Sequence, residues 1–218
     1  YCMRNPAYYL DDPRPTQKQA PYTFFLPDPR RLEALEPGDH AKLIFVPTTE
    51  GTKYGAERMW VHIIETEGTI YRGKLDNIPD DVPGLSLGDI VKFEAWHIID
   101  AEFHDKQKEK SLKFPRRTFY ERCLVDKCVL DDGTKVHFIY RENADLTDDG
   151  DKYPDSGWRI RGDWRGLSDE EVDARQCEYV ALGAVLNRDD SWVRLIDKPE
   201  GAAYTRDWEN DTFVPDGE

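Results

Sequence analysis

Short apolar runs separated by tight turns constrain the fold of this chain more than any other feature. Four runs of this kind lie in the first hundred residues, at Ala41–Val46, Glu57–Glu65, Thr69–Leu75 and Ile90–Trp96. Their length is typical of strands. The turn Thr66-Glu67-Gly68 predicts a hairpin between the second and third runs. The tight Gly38-Asp39 and Gly88-Asp89 turns each begin a strand. This half of the chain therefore predicts a bent antiparallel sheet or a small, partly closed barrel.

Turn signals continue in the second half of the sequence. Asp131-Asp132-Gly133 lies between the apolar runs 122–130 and 134–141 and predicts a hairpin. Residues 201–206 and 212–214 predict a second hairpin at the end of the chain. Strands do not alternate with long helices as they do in a parallel sheet. The whole chain therefore predicts an α+β fold of mainly antiparallel sheet with few helices.

Two helix starts carry recognisable caps. Asp28-Pro29 places an acidic N-cap before a proline at the first helical position and predicts a short helix. Ser168-Asp169-Glu170-Glu171 is a capping box and predicts a helix that continues to about Val180. The residues before the first helix are rich in proline and tyrosine. We expect this arm, residues 1–25, to pack across a domain or to reach a neighbouring molecule.

Charge divides the chain into two halves. Residues 1–120 carry 17 basic and 19 acidic side chains, a net charge of −2, whereas residues 121–218 carry 13 and 25, a net charge of −12. The stretch 101–118 is mostly charged and ends in Pro115-Arg116-Arg117, so we interpret it as a solvated helix or linker. The sequence predicts three segments: an N-terminal β-rich domain with an extended arm (1–100), a charged linker or helix (101–118) and an acidic α+β domain (119–218).

The composition argues against several classes of function. A net charge of −14 disfavours binding to nucleic acid, which requires Lys and Arg to neutralise phosphates. No apolar run approaches the ~20 residues of a membrane span. The first residues lack the charged-then-apolar order of a secretory signal. We therefore expect a cytoplasmic protein that binds neither nucleic acid nor membrane, while the oligomeric state stays open.

No motif for catalysis or for a cofactor stands out. The sequence lacks the phosphate-binding loops G-x-x-x-x-G-K-[ST] and G-x-G-x-x-G and the nucleophile elbow G-x-S-x-G. Cys123 and Cys128 form a C-x4-C pair without the further ligands of a zinc site, so we interpret the four cysteines as reduced thiols. The five histidines are scattered, although a Ser-His-Asp triad could still assemble across the fold. We assign no catalytic residue, metal ligand or cofactor.

An unusual run at residues 155–165 alternates tryptophan with arginine. These two residue types are enriched at the hot spots of protein interfaces, so the run is a candidate contact surface. The alternative is structural: Trp158 anchors a core strand after a tight Ser-Gly turn, and Asp163 forms an ion pair with an arginine. Trp164 follows a Gly-Asp turn, and we expect it to be more exposed than Trp158.

The second half resembles a bacterial family of immunity proteins. The motifs that carry the resemblance are Cys123–Val129, G-T-K-V-H-F-I-Y-R-E (Gly133–Glu142), P-D-S-G-W-R (Pro154–Arg159), Gly162-Asp163, and L-I-D-K-P-E-G-A-A-Y-T-R (Leu195–Arg206). Over residues 121–216 they look like domain of unknown function 2185, the immunity protein 33-like family of polymorphic-toxin systems. Trp164 departs from the family pattern, in which an acidic residue is common at this position.

The first half resembles a companion domain, domain of unknown function 2314. The matching motifs are G-D-H (Gly38–His40), M-W-V (Met59–Val61), G-K-L-D-N (Gly73–Asn77) and L-S-L-G-D-I-V-K-F (Leu85–Phe93). The resemblance covers residues 16–100. Together the two resemblances imply a genomic position beside toxins and neutralisation of a toxin by binding, and they carry over no catalytic residue.

These resemblances imply a non-catalytic, cytoplasmic immunity protein that binds and occludes a toxin. Toxins that act on nucleic acids are often basic, and the acidic second half would attract such a partner. We predict that six residues of this half bind the partner: Asp155, Trp158, Arg159, Asp163, Trp164 and Arg206. The alternatives are an enzyme with a site between the domains, and a ligand-binding or scaffold module.

Overall fold

The computed structural model describes residues 7–147 and 150–216 and divides into two compact units. The first unit comprises the chain up to Gln19 together with Phe24–Arg116. The second comprises Ala20–Thr23 together with the chain from Arg117 onward. The chain therefore enters the second unit for four residues before it completes the first.

The first unit is an antiparallel sheet that curls towards closure. Its strands are β1 (Tyr8–Leu10), β2 (His40–Pro47), β3 (Glu57–Glu67), β4 (Ile70–Leu75), β5 (Ile90–Glu94) and β6 (Asp100–Glu102). They follow the order β1-β2-β3-β4-β5, and β6 returns to pair with β2. This return gives the nearly closed, barrel-like sheet that the sequence predicts. The hairpin of β3 and β4 is also confirmed, but its turn is Gly68-Thr69, because Thr66 and Glu67 pair with β4 as part of β3.

Alternation along β3 and β4 builds the core of the first unit. Val61 and Ile63 are fully buried, while His62 between them is half-buried. On β4, Gly73 lies so close to β3 that an added Cβ would stand 2.6 Å from the carbonyl oxygen of His62. Glycine is therefore required where these two strands approach most closely.

Short helices connect the strands of the first unit. They are α1 (Arg14–Gln19), α2 (Pro29–Glu33), a 3-10 turn (Ala95–His97) and α3 (Lys106–Ser111). The predicted start of α2 is confirmed, because the Asp28 carboxylate accepts a hydrogen bond of 3.0 Å from the backbone N–H of Arg30. Proline at the first helical position loses no hydrogen bond that the helix needs.

The charged stretch 101–118 differs in part from the interpretation as a solvated linker. Ala101 lies in β6, and Ala101 and Phe103 are each only 2% exposed in the core of the first unit. The buried Ala101 and Phe103 alternate with the exposed Glu102, as in a strand. This alternation was not recognised from the sequence because most of the stretch is charged. The first unit continues to Arg116, and the helical part of the stretch is α3.

The N-terminal arm contributes to both units. Tyr8–Leu10 adds an edge strand to β2, and residues 1–6 lie outside the described part of the chain. We call Ala20–Thr23, which belongs to the second unit, the strap. The ring of Tyr22 packs 5.7 Å from that of Phe119, and its hydroxyl donates to Asp190 at 2.8 Å. Its backbone N–H donates to the Asn187 side chain at 2.9 Å.

In its described residues, the second unit is a six-stranded sheet with four short helical segments. The strands are β7 (Arg122–Asp126), β8 (Val136–Arg141), β9 (Asp155–Gly162), β10 (Cys177–Ala181), β11 (Ala203–Asp207) and β12 (Thr212–Pro215). The helical segments are α4 (Lys127–Asp131), α5 (Asp169–Asp173), α6 (Leu182–Leu186) and a 3-10 turn (Val193–Leu195). The strand order is β10-β7-β9-β8-β11-β12; the β7–β9 pair is parallel, and the other neighbours in this order are antiparallel. The predicted α+β class and the terminal β11–β12 hairpin are confirmed.

Two local predictions in the second unit are wrong. Residues 127–131 form α4 instead of one arm of a hairpin, and β7 pairs with β9 and β10 rather than with β8. The capping box at Ser168 is confirmed, but α5 ends at Asp173 because residues 177–181 pair with β7 as an edge strand. In both cases long-range pairing overrides the local signal. None of the helices in the described residues is both long and apolar enough to cross a membrane.

Candidate functional site

The two faces of the second sheet have different chemistry. On β9, Trp158 and Ile160 point into the core of the unit. Successive side chains on a strand alternate between faces, so Arg159 and Arg161 lie on the other face. Phe138 on β8 pairs with Arg161 in register and shares this second face. The candidate site is built there.

A groove of about 530 Å³ lies on this face of the second unit. We call it the aromatic groove, and its lining residues are Phe138, Tyr140, Arg161, Trp164, Asp169, Val172 and Asp173. The ring of Phe138 lies 5.5 Å from that of Tyr140 and 5.9 Å from that of Trp164. All three rings are half-buried, so the groove offers aromatic surface that is accessible to a partner.

Helix α5 supplies an acidic wall to the aromatic groove. The Ser168 hydroxyl accepts from the backbone N–H of Glu171 at 3.3 Å, and the Glu171 carboxylate accepts from the backbone N–H of Ser168 at 2.8 Å. This reciprocal cap fixes the start of the helix. Asp169 and Asp173 are exposed, and neither has an ion-pair partner among the described residues. Their charges are therefore available to a partner.

A buried carboxylate holds the arginines beneath the groove. Asp126 is 0% exposed and accepts from the backbone N–H of Gly162 at 3.0 Å and from Arg175 at 3.2 Å. Arg161 Nε lies 2.9 Å from Asp126 Oδ1, without the orientation of a hydrogen bond. Arg175 also donates to the carbonyl oxygens of Gly162 and Asp163, at 2.9 and 2.6 Å. This network anchors the end of β9 and the turn that follows.

The turn after β9 carries Asp163 and Trp164, two of the predicted partner-binding residues. Asp163 accepts from Arg165 through both oxygens, and these hydrogen bonds lower the pKa of its carboxyl group. Trp164 packs edge-on against His137, with ring centroids 4.5 Å apart. Both residues remain partly accessible. Trp164 is more exposed than Trp158, as the Gly-Asp turn predicts.

A second pair of aromatic rings supports Trp164. The indole N–H of Trp208 donates to His137 Nδ1 at 2.8 Å, and the guanidinium of Arg165 stacks over the Trp208 ring at 3.7 Å. His137 is buried, and burial lowers its pKa. The side chain of His137 therefore favours the neutral form, which accepts the hydrogen bond from Trp208.

The other four predicted residues are buried and contact this unit itself. Trp158 is fully buried and donates from its indole N–H to the Ile196 carbonyl oxygen at 3.0 Å. Arg159 is 2% exposed and forms two hydrogen bonds to Asp155, at 3.0 and 2.8 Å. Such positions let a side chain shape the surface without touching a partner.

Arg206 occupies a third internal network. It donates to Asp189 at 2.8 Å and to the Val136 carbonyl oxygen at 2.9 Å. Burial alone would raise the pKa of Asp189, but hydrogen bonds from Ser191, Val136 and Arg206 outweigh it and lower the pKa. The guanidinium of Arg206 also lies 4.9 Å from the Trp208 ring. Arg206 thereby joins the core to the aromatic rings near the groove.

Sequence reasoning missed most of the groove. Phe138 and Tyr140 alternate with buried Ile139 in T-K-V-H-F-I-Y-R, and this period of two was the signal that could have found them. Arg161 lies in the run 155–165 that was a candidate contact surface, but it was not among the six predicted residues. Asp169 and Asp173 gave no signal for a groove, because their position there depends on how β9 and α5 pack.

The thiols and acidic groups do not form a metal centre in the described part of the chain. No group of three or more His, Cys, Asp or Glu side chains there could hold a metal ion. Cys123, Cys128 and Cys177 are free thiols, and Cys2 lies outside the described residues. Burial raises the pKa of Cys123 and of Cys177.

Comparison with known protein families gives a match for the second unit. Neither the curated proteins nor the solved structures contain a match to this chain. No family match supports the resemblance of residues 16–100 to domain of unknown function 2314, which stays a prediction. The model of the Immunity protein Imm33 domain matches residues 123–215. From β7 to the end of β12, the second unit is thus similar to an immunity protein domain.

Proposed function

We propose that the second unit binds and occludes a basic protein toxin, as an immunity protein of a bacterial polymorphic-toxin system. The similarity of residues 123–215 to an immunity protein domain supports a role in protein binding. The proposal assigns no catalytic step to the chain, and it places the protein in the cytoplasm, where such a toxin would act.

The aromatic groove is the single observation that carries this proposal. Phe138, Tyr140 and Trp164 present ring faces that attract a cation. Asp169 and Asp173 stand beside them with free carboxylates. A lysine or arginine side chain of a partner would meet both kinds of contact in one place, and aromatic anchors of this type dominate binding energies at interfaces.

Long-range electrostatics supports the same partner. Residues 121–218 carry a net charge of −12, so they attract a basic protein before contact is made. Complementary charge speeds association more than it strengthens the final complex. Binding should therefore slow as salt is raised, because screening shortens the range of attraction.

The predicted partner-binding residues receive two different roles in this proposal. Asp163 and Trp164 would contact the toxin directly, since both are partly accessible beside the groove. Asp155, Trp158, Arg159 and Arg206 would position the strands and rings from within, as their buried contacts indicate. No observation favours the alternatives of an enzyme or a scaffold module.

Affinity capture from the native bacterial host tests the proposal. The bait is the full chain, compared with the double variant Asp169→Lys/Asp173→Lys and with the matched variant Asp132→Lys/Glu200→Lys, which changes the net charge equally at exposed positions outside the groove. We expect the native chain and the matched variant to capture a basic protein whose toxicity is suppressed by co-expression. The groove variant should lose both capture and protection.

Two results would overturn the proposal. One is equal loss of binding by both double variants, which would assign the effect to net charge rather than to the groove. The other is the absence of a basic partner together with turnover in a broad substrate screen, which would favour an enzyme.

A further inference from the structure

The first unit contains a cavity whose chemistry is unrelated to toxin binding. Its volume is about 640 Å³, and its lining comes from residues 25–28, 31, 99–100, 109–110 and 113–116. We call it the basic cavity. All of these residues belong to the first unit. A volume of this size is in the range of about 300–1,000 Å³ that small-molecule sites occupy.

Two phenylalanine rings in the basic cavity are each paired with an arginine. The guanidinium of Arg116 lies 4.7 Å from the Phe25 ring and donates to the Leu26 carbonyl oxygen at 2.8 Å. The guanidinium of Arg30 lies 3.5 Å from the Phe114 ring. Planar groups that are already held over rings offer stacking surface at little further cost in side-chain entropy.

The carboxylates of the basic cavity are largely neutralised. Asp28 accepts from Arg30 through both oxygens, at 2.8 and 2.7 Å, and these bonds lower its pKa to about 2. Glu109 accepts from Arg31 at 2.9 Å. Asp100 is the remaining acid in the lining.

The free charges of the basic cavity are therefore mainly positive. Lys110 and Lys113 are exposed, and neither ammonium group has an ion-pair partner within residues 7–147 or 150–216. Arg116 likewise pairs with a carbonyl oxygen and a ring, not with a carboxylate. Three cations facing one free acid favour an anionic ligand.

We propose that the basic cavity binds a nucleoside monophosphate. The phosphate would lie against Lys110, Lys113 and Arg116, since phosphate oxygens accept charge-assisted hydrogen bonds from such groups. The base would stack on Phe25 or Phe114, because aromatic rings and guanidinium planes both stack with nucleobases. A long nucleic acid does not fit as well, because a chain with a net charge of −14 repels a polyanion.

Calorimetric titration of the full-length protein with AMP tests this assignment. Adenosine is the probe that lacks the phosphate, and inorganic phosphate is the probe that lacks the nucleoside. A single-stranded adenine oligonucleotide tests whether the cavity prefers a nucleic acid to a mononucleotide. We expect AMP to bind at least about tenfold more tightly than either half, because the phosphate and the base contact different groups in the cavity. Binding of the oligonucleotide more tightly than AMP would overturn the proposal in favour of a nucleic-acid site.

Matched charge reversals locate the site. Lys110→Glu/Lys113→Glu should weaken AMP binding by about tenfold or more, whereas Lys74→Glu/Lys92→Glu, on exposed strand positions outside the cavity, should leave it unchanged. Phe114→Leu should weaken AMP more than it weakens phosphate, which separates loss of stacking from loss of charge. Circular dichroism confirms that each variant is folded. Equal weakening by both double variants, or no heat of binding with the native chain, would overturn the assignment.

Discussion

The aromatic groove of the second unit and the basic cavity of the first are built from the same residue types, but their unpaired charges have opposite signs. Both place aromatic rings beside arginines and carboxylates. In the second unit, buried Asp126 pairs with Arg161 and Arg175. The exposed Asp169 and Asp173 have no ion-pair partner among the described residues.

In the first unit the pairing is reversed. Arg30 and Arg31 neutralise Asp28 and Glu109, and the lysines at 110 and 113 are left over in the described part of the chain. The charge that each surface presents therefore depends on which of its charged side chains pair with one another within the unit. Composition alone does not determine it.

The largest expected effect comes from breaking the pairing in the second unit. Asp126→Asn should leave two arginines without their buried counter-charge and destabilise the unit by about 3–5 kcal/mol. Chemical denaturation, followed by tryptophan fluorescence, measures the change. If the variant folds, the groove should also become less acidic and capture less of a basic partner.

Glu109→Gln in the first unit is the matched comparison for that variant. Arg31 would keep its hydrogen bonds to the carbonyl oxygens of Leu112 and Ala101, at 3.1 and 2.6 Å. The free energy of unfolding should therefore fall by only about 1 kcal/mol, which is the net contribution of an ordinary hydrogen bond. Equal losses in the two variants would mean that burial of the carboxylate is not what distinguishes the units.

An intermediate effect is expected at the strap, which belongs to the second unit. Tyr22→Phe removes the hydroxyl bond to Asp190 and should destabilise the second unit by about 1 kcal/mol. Burial, followed by the bond to Asp190, raises the pKa of Tyr22 to about 12 from its ordinary value of 10. Above pH 10 the unfolded state loses this proton and the folded state keeps it, so stability should fall between pH 10 and 12. Thermal unfolding of the native chain and of Tyr22→Phe between pH 10 and 12 checks the prediction. The stability of the variant should fall less over this range than that of the native chain.

The smallest expected effect is a loss of stability in mild acid that arises from the second unit. Burial lowers the pKa of His137 below its ordinary value of 6.5. As pH falls below 6.5, the unfolded state binds a proton that the folded state binds less readily, so stability decreases. His137→Gln should flatten this part of the pH profile. A profile that is identical in the native chain and the variant would contradict the proposed environment of His137.

Local signals predicted the parts of the fold that depend on neighbouring residues. The hairpin of β3 and β4, the N-cap at Asp28 and the capping box at Ser168 each involve atoms a few residues apart. The antiparallel α+β class followed from strand lengths and turns. The similarity to an immunity protein followed from motifs spread along one half of the chain.

Features that depend on distant residues could not be predicted in the same way. The parallel β7–β9 pair joins segments about thirty residues apart, and α4 replaced a hairpin that Asp131-Asp132-Gly133 favoured locally. Among the predicted site residues, Trp158 and Arg159 share a strand with accessible Arg161. Whether such a side chain is buried depends on which element covers its face of the sheet. That element is distant in sequence, so the neighbouring residues do not predict the burial.

The strap has a consequence for how the protein is made. Tyr22 is synthesised 165 residues before Asn187, its hydrogen-bond partner. At ~5–20 residues per second, translation needs roughly 10–30 seconds to bring the two together. The larger part of the first unit, Phe24–Arg116, is synthesised in that interval, before the surface that the strap contacts is complete. A gene fragment that begins at β7 would encode the sheet of the second unit without the strap, and so without the hydrogen bonds from Tyr22 to Asn187 and Asp190.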